Sequence, residues 1–232
     1  MYEQEPWYMV LFAVAIGMVS MYAIGFVERW SYSQIGDLMT PFQQALVAST
    51  HEEGIRLVMV VALALLLPSQ FNDPMDGLIY GSLIGLGMAV LESIQYMTHD
   101  GDVPNTLPPQ EIIRIMGHLL MGGITGFAVG MMRMRMKYWI PVLGISVIFS
   151  MGLHLLWDVI ALTTSARGSA NLLEKVGAVL TMLGGIVCFG FMVVTASEWS
   201  RKVFAPDQKS RLWGWPFTLF FPDEKKTQRD AD

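Results

Sequence analysis

D-G-L-I-Y-G-S-L-I-G-L-G-M-A-V-L-E-S-I-Q-Y, residues 76–96, is the stretch that decides the fold. From Gly77 to Leu91 it carries no charge, and it has about the 20 residues that an α-helix needs to cross the hydrocarbon of a bilayer. Gly77, Gly81, Gly85 and Ala89 recur every four positions. At helical spacing they form one bare face, against which a second helix can bring its backbone close. Three and four residues further along the same stripe stand Glu92 and Ser93.

A partner stripe lies in the next apolar run, at Gly122, Gly126 and Gly130. Stepping back four from Gly122 reaches His118, so packing the two stripes together predicts that Glu92, Ser93 and His118 meet. Further apolar runs cover Trp7–Val27, Phe42–Leu67, Tyr138–Thr163 and Leu172–Ala196, beside Gly77–Met97 and Ile112–Met132. Pro41, Pro68, Pro74, Pro104, Pro108 and Pro109 fall between runs, where helices start or stop. The expectation is an all-α, polytopic transmembrane bundle of about six spans.

Composition agrees. Of 232 residues, 53% are hydrophobic and 15% charged, and mean hydropathy is +0.45, a balance that makes the bilayer the natural solvent. No polar stretch is long enough for a separate soluble domain, so residues 1–200 read as one transmembrane helical domain and 201–232 as a cytoplasmic tail. The start, Met1 to Trp7, is acidic and reads as the approach to the first helix, not as a removable signal. Cys188 stands alone, which excludes an intrachain disulfide. A net charge of −5 without a basic face excludes nucleic acid as a partner. Eighteen methionines read as ordinary apolar helix formers.

Basic residues set the orientation. Arg133, Arg135 and Lys137, and the group Arg201, Lys202, Lys209, Arg211, Lys225, Lys226 and Arg229, fall on one side of a six-span chain; the opposite loops hold Arg29, Arg167 and Lys175. The positive-inside rule then puts both termini in the cytoplasm of a multi-pass protein of the inner (plasma) membrane. Trp213, Trp215, Phe217, Phe220 and Phe221 make the tail an interfacial anchor among lipids, or a docking segment for a partner subunit through residues 211–221.

Glu52, Glu53, Arg56, Glu92, His118, His154 and Asp158 all lie within the apolar runs. An acid or arginine near the bilayer centre costs about 2.5–3.5 kcal/mol on insertion scales, so several together mark a functional interior. Glu52 and Glu53 precede Arg56 by four and three, either of which allows an intrahelical ion pair. Glu92 shares a helical face with Tyr96, as His154 does with Asp158. At 1.5 Å per residue, Glu92, His118, His154 and Asp158 fall roughly 8–14 Å below the outer surface and Glu52 roughly 18 Å. One buried cluster of carboxylates and imidazoles, open to water from the non-cytoplasmic side, is therefore expected.

At these positions the chain resembles the PrsW family of intramembrane proteases, and more distantly the CAAX-processing and bacteriocin-immunity membrane proteases. The resemblance rests on H-E-E-G-I-R at 51–56, the stretch 76–96, the span with His118, and H-L-L-W-D at 154–158. It implies endopeptidase cleavage of a membrane-tethered, single-span protein such as an anti-sigma factor, on the extracytoplasmic side. It carries catalytic positions over to Glu52, Glu53, Glu92, His118 and His154, with Asp158 where related families often hold Asn. Arg56 replaces a common Lys and Ser93 a common Asn; with Tyr96 these are the supporting residues.

The chemistry expected is hydrolysis in which Glu52 or Glu53 takes a proton from water and His118 or His154 orients that water or stabilises the oxyanion, with Asp158 fixing the imidazole. No cofactor is required for this. Zn²⁺ is the alternative, with His118, His154 and Glu92 as ligands drawn from separate helices, since H-E-E-G-I lacks the second histidine of H-E-x-x-H. A catalytically inactive PrsW-like subunit or scaffold of a larger complex is the other class of function, favoured by the substituted motif positions.

Overall fold

In the computed structural model, which describes residues 5–35, 39–98 and 108–205, every expected run forms a helix. These are α1 (Trp7–Ile35), α2 (Pro41–Leu66), α3 (Pro74–Thr98), α4 (Pro109–Arg133), α5 (Trp139–Arg167) and α6 (Leu172–Phe204). Three begin on proline, whose fixed φ suits a first helical turn and whose missing N–H costs nothing there. Thr40 and Gln43 form a capping box before α2, and Asn171 and Glu174 form one before α6. α5 ends on Gly168 at φ 75°, the left-handed conformation that a residue without Cβ adopts readily. Several helices continue past the apolar runs through polar residues, as α1 does from Glu28 to Ile35; α6 continues to Phe204, beyond the boundary expected at residue 200.

Among the described residues, five helices, all but α2, are long and apolar enough to cross a membrane. α2 has the length, at 26 residues, but Glu52, Glu53 and Arg56 interrupt its apolarity, and all three are buried inside the bundle. The distribution is the inverse of a water-soluble protein's. Leu172, Leu173, Ile148 and Val187 are 70% or more exposed, while Arg56 and Ser150 are wholly buried. Such a surface is satisfied by lipid, and such an interior only by internal partners.

The tightest seam joins α3 to α4. A Cβ on Gly81 would collide with the carbonyl oxygen of Gly122, and one on Gly126 with that of Gly77. Gly85 sits against the carbonyl of His118, so the expected pairing of stripes is what brings His118 towards Glu92. A second seam, not anticipated from the sequence, packs Gly17 of α1 on Ile84 and Gly87 of α3 on Val14. The aromatic tail lies outside the described residues, as does the proposed docking segment 211–221.

Candidate active site

Glu28, Glu52, Glu92, His118, His154 and Asp158 all fall in the halves of their helices nearest the α1–α2, α3–α4 and α5–α6 connections. Consecutive antiparallel helices thus deliver them to one end of the bundle. The two imidazole rings meet edge to face with centroids 5.1 Å apart. Nε2 of His118 and Nε2 of His154 each lie 3.8 Å from Oε2 of Glu52, a fully enclosed oxygen with no hydrogen-bond partner. Glu92 Oε2 is 3.2 Å from Nε2 of His118, and Asp158 Oδ2 is 3.4 Å from Nε2 of His154. The residues expected from four separate runs therefore form one cluster, with Glu52 between the imidazoles.

The two adjacent glutamates have different surroundings. Glu53, not Glu52, takes the ion pair with Arg56, three residues on. The same Glu53 Oε1 accepts a hydrogen bond from Nδ1 of His154 at 2.9 Å. Both contacts fall on Oε1 of Glu53, whose Oε2 is buried without a hydrogen bond, whereas no side chain hydrogen-bonds Oε2 of Glu52 and both imidazoles face it.

Arg56 also reaches His118, its Nη2 lying 2.7 Å from Nδ1. A guanidinium can only donate, so Nδ1 of His118 accepts and the proton of the neutral ring sits on Nε2. His118 therefore presents an N–H to Glu92 and Glu52. His154 has the opposite wiring at Nδ1, where it donates to Glu53.

Arg114, one turn before His118 on α4, also belongs to the cluster. Its Nε lies 3.4 Å from Glu92 and its Nη1 2.5 Å from Glu111. Tyr96 is 61% exposed and meets the site indirectly, with the Arg114 guanidinium 4.1 Å over its ring. Ser93 is buried with its hydroxyl unpartnered. Glu28 of α1 also bears electrostatically on Glu92, His154 and Asp158, and its Oε1 is buried without a hydrogen bond. The signals available for these two were an acid directly after the first apolar run and an arginine one turn before His118.

Residues 5–196 match the family described as PrsW family intramembrane metalloprotease. The chain belongs to this family. A PrsW-family stretch of 136 residues is 26% identical to Protease PrsW of Geobacillus kaustophilus (strain HTA426), covering 59% of each chain. Over 132 residues it is 27% identical to Protease PrsW of Bacillus subtilis (strain 168), covering 57% of this chain and 59% of that one. The chain thus spans less than two thirds of the length of the curated relatives it matches. No solved structure matches it. Family and helices together make it a multi-pass protein of the cell membrane with a protease's ancestry.

The family description includes a metal, and three residues offer ligand atoms for one: Glu52, His118 and His154, all within 4.8 Å of one another. The carboxylate of this group is Glu52, where the sequence pointed to Glu92. Ligands about 2.0–2.1 Å from a tetrahedral zinc lie roughly 3.3 Å apart, so the 3.8 Å separations here are close to suitable. The positions fit a metal, but the proton on His118 does not. With Arg56 donating to Nδ1, the Nε2 lone pair that a metal needs is already bonded to hydrogen.

Proposed function

We propose that this chain is an intramembrane endopeptidase that hydrolyses a membrane-tethered protein on the extracytoplasmic side, with Glu52 as the base that activates water. One observation carries the reading: the unpartnered, enclosed Oε2 of Glu52 stands 3.8 Å from both imidazole Nε2 atoms. Those separations are too long for direct hydrogen bonds and suit a single water shared among the three groups, at about 2.8 Å from each.

In the reaction Glu52 takes a proton from the water as its oxygen adds to the scissile carbonyl carbon. The Nε2–H of His118, held in that form by Arg56, donates to the oxyanion that develops. His154, held through Nδ1 by Glu53, lines the other side of the water position, with Asp158 beside it. Glu52 then returns its proton to the leaving nitrogen, which completes peptide hydrolysis. Basic residues grouped at the opposite end of the bundle support cytoplasmic termini and a site that faces outward. A single-span substrate such as an anti-sigma factor fits such a site.

The metal reading is the second. It is favoured by the Glu52, His118 and His154 group and by the family's description, and it requires Arg56 to leave His118. An inactive scaffold is disfavoured by the convergence of Glu52, Glu53, Glu92, His118 and His154 in one buried cluster.

The test uses purified protein in bilayers with a panel of single-span substrates, for wild type and Glu52→Gln. Cleavage by wild type that disappears in the folded variant supports the reading. Undiminished cleavage by Glu52→Gln would reject Glu52 as the base.

A further inference from the structure

A cleft opens beside the two imidazoles, between α4, α5 and α6, in a space of about 380 Å³ that includes its open mouth. Gly117 and His118 line it from α4, His154 and Trp157 from α5, and Met182 and Gly185 from α6. Its walls are mainly apolar, as in sites that take an apolar group.

Glycines create the space, and they differ from those of the α3–α4 seam. At Gly81, Gly122 and Gly126 the missing side chain is replaced by the backbone of the neighbouring helix. At Gly117 nothing replaces it: an added Cβ would meet only Met121 Cε, at 3.9 Å. At Gly185 it would find Leu153 Cδ1 at 3.4 Å and Leu120 Cδ1 at 3.5 Å, ordinary van der Waals distances. These two glycines serve no close helix approach, and their lack of side chain leaves room directly next to His118 and His154.

The wall between this room and the lipid is α6, the least buried of the spans. Val179, Leu183 and Ile186, on the same stretch as Met182 and Gly185, are 58%, 50% and 43% exposed. A polypeptide lying in the bilayer against α6 is thus one helix away from an apolar recess that has His118 and His154 in its lining.

We propose that this cleft is a specificity pocket, receiving one apolar side chain of the substrate polypeptide beside the bond that is cut, with Gly117 and Gly185 setting the size accepted. The inference rests on the protease reading for its catalytic meaning. As a binding site for an apolar peptide side chain it stands on the cleft itself.

Two measurements on the full-length protein in bilayers separate these layers. In the first, a single-span reporter carries a randomised segment next to its transmembrane helix, and cleavage products are mapped by mass spectrometry. Wild type is expected to favour Leu over Ala at one position relative to the cut. Gly185→Leu, and independently Gly117→Val, should lower that Leu-to-Ala ratio at least tenfold, the scale on which apolar pockets discriminate by size. An unchanged ratio in both folded variants overturns the pocket.

In the second, the Glu52→Gln protein is irradiated with a single-span peptide bearing photo-leucine. Crosslinks to Met182, Leu153 or Trp157 that vanish in the added Gly185→Leu background support the pocket even if wild type cleaves no reporter, an outcome that would remove the protease reading alone. Crosslinks absent from these residues, or indifferent to Gly185→Leu, overturn the pocket whatever the cleavage result. Thermal melts of each variant identify any that fail to fold, and Gly117→Ala, the mildest change, then takes their place.

Discussion

Arg56 and His118 are 62 residues apart in sequence, yet the Arg56 guanidinium lies 2.7 Å from Nδ1 of His118 while pairing with Glu53. One buried cation thus sets the proton position on the first imidazole and neutralises the acid that holds the second. The state of both rings depends on a residue that touches neither Glu52 nor the space between the Nε2 atoms.

The neighbouring glutamates are therefore expected to fail differently. Glu52→Gln should lower turnover about 10²- to 10⁴-fold, the usual worth of a general base, without loss of fold. Glu53→Gln deprives buried Arg56 of its counter-ion, a change that typically costs ~3–5 kcal/mol. Cleavage assays paired with thermal melts in the same bilayers will distinguish the two. Equal loss of stability in both variants would contradict the division of roles.

Zinc offers a second check. With the proton of His118 on Nε2, wild type desalted after zinc exposure should retain well under one zinc per chain, and chelators should leave cleavage unchanged. Arg56→Lys keeps the charge for Glu53, but a single ammonium group does not reproduce the guanidinium's fork. That variant should bind zinc more tightly by elemental analysis. Chelator-sensitive activity of wild type, restored by added zinc, would favour the metal reading.

Asp158 is 3.4 Å from His154 Nε2 and only partly buried. If its part is to hydrogen-bond, an amide serves as well as an acid, and Asp158→Asn should retain activity within about tenfold. Asp158→Ala should lose more than Asp158→Asn in the same cleavage assay. The reverse order would mean that negative charge at this position, not a hydrogen bond, is what His154 requires.

The seam glycines yield a stability prediction. Gly81→Ala and Gly126→Ala force a methyl into the opposing backbone, and overpacking of this kind costs about 1–3 kcal/mol. Gly144→Ala and Gly152→Ala meet nothing within 4 Å and should hold or slightly raise the melting temperature. Melting curves of the four variants provide the comparison.

Much of this was legible in the sequence, for identifiable reasons. Hydrophobic length located every helix, and four-residue glycine spacing paired α3 with α4, because both are properties of single segments or of two segments with matching periods. The members of the cluster were legible because acids and histidines are costly in lipid. Wiring within the cluster was not. Whether Glu52 or Glu53 takes Arg56 depends on which face of α2 turns towards α4 and α5, and spacing of four and of three allows both. Glu28 and Arg114 were missed because they lie near helix ends, where a charge costs little and signals little. The α1–α3 seam at Gly17 and Gly87 escaped because Gly87 lies off the four-residue stripe of α3 and α1 carries no glycine repeat at that spacing.

The backbone-tight union of α3 with α4 has a mechanical corollary. Glu92 and His118 ride on one stiff body, while His154 and Asp158 ride on α5, whose Gly144 and Gly152 meet no neighbour within 4 Å. Any displacement of α5 against that body would change the gap between the two imidazoles. Bilayer thickness or lateral pressure, acting on a helix pair that cannot shear, would be transmitted to that gap.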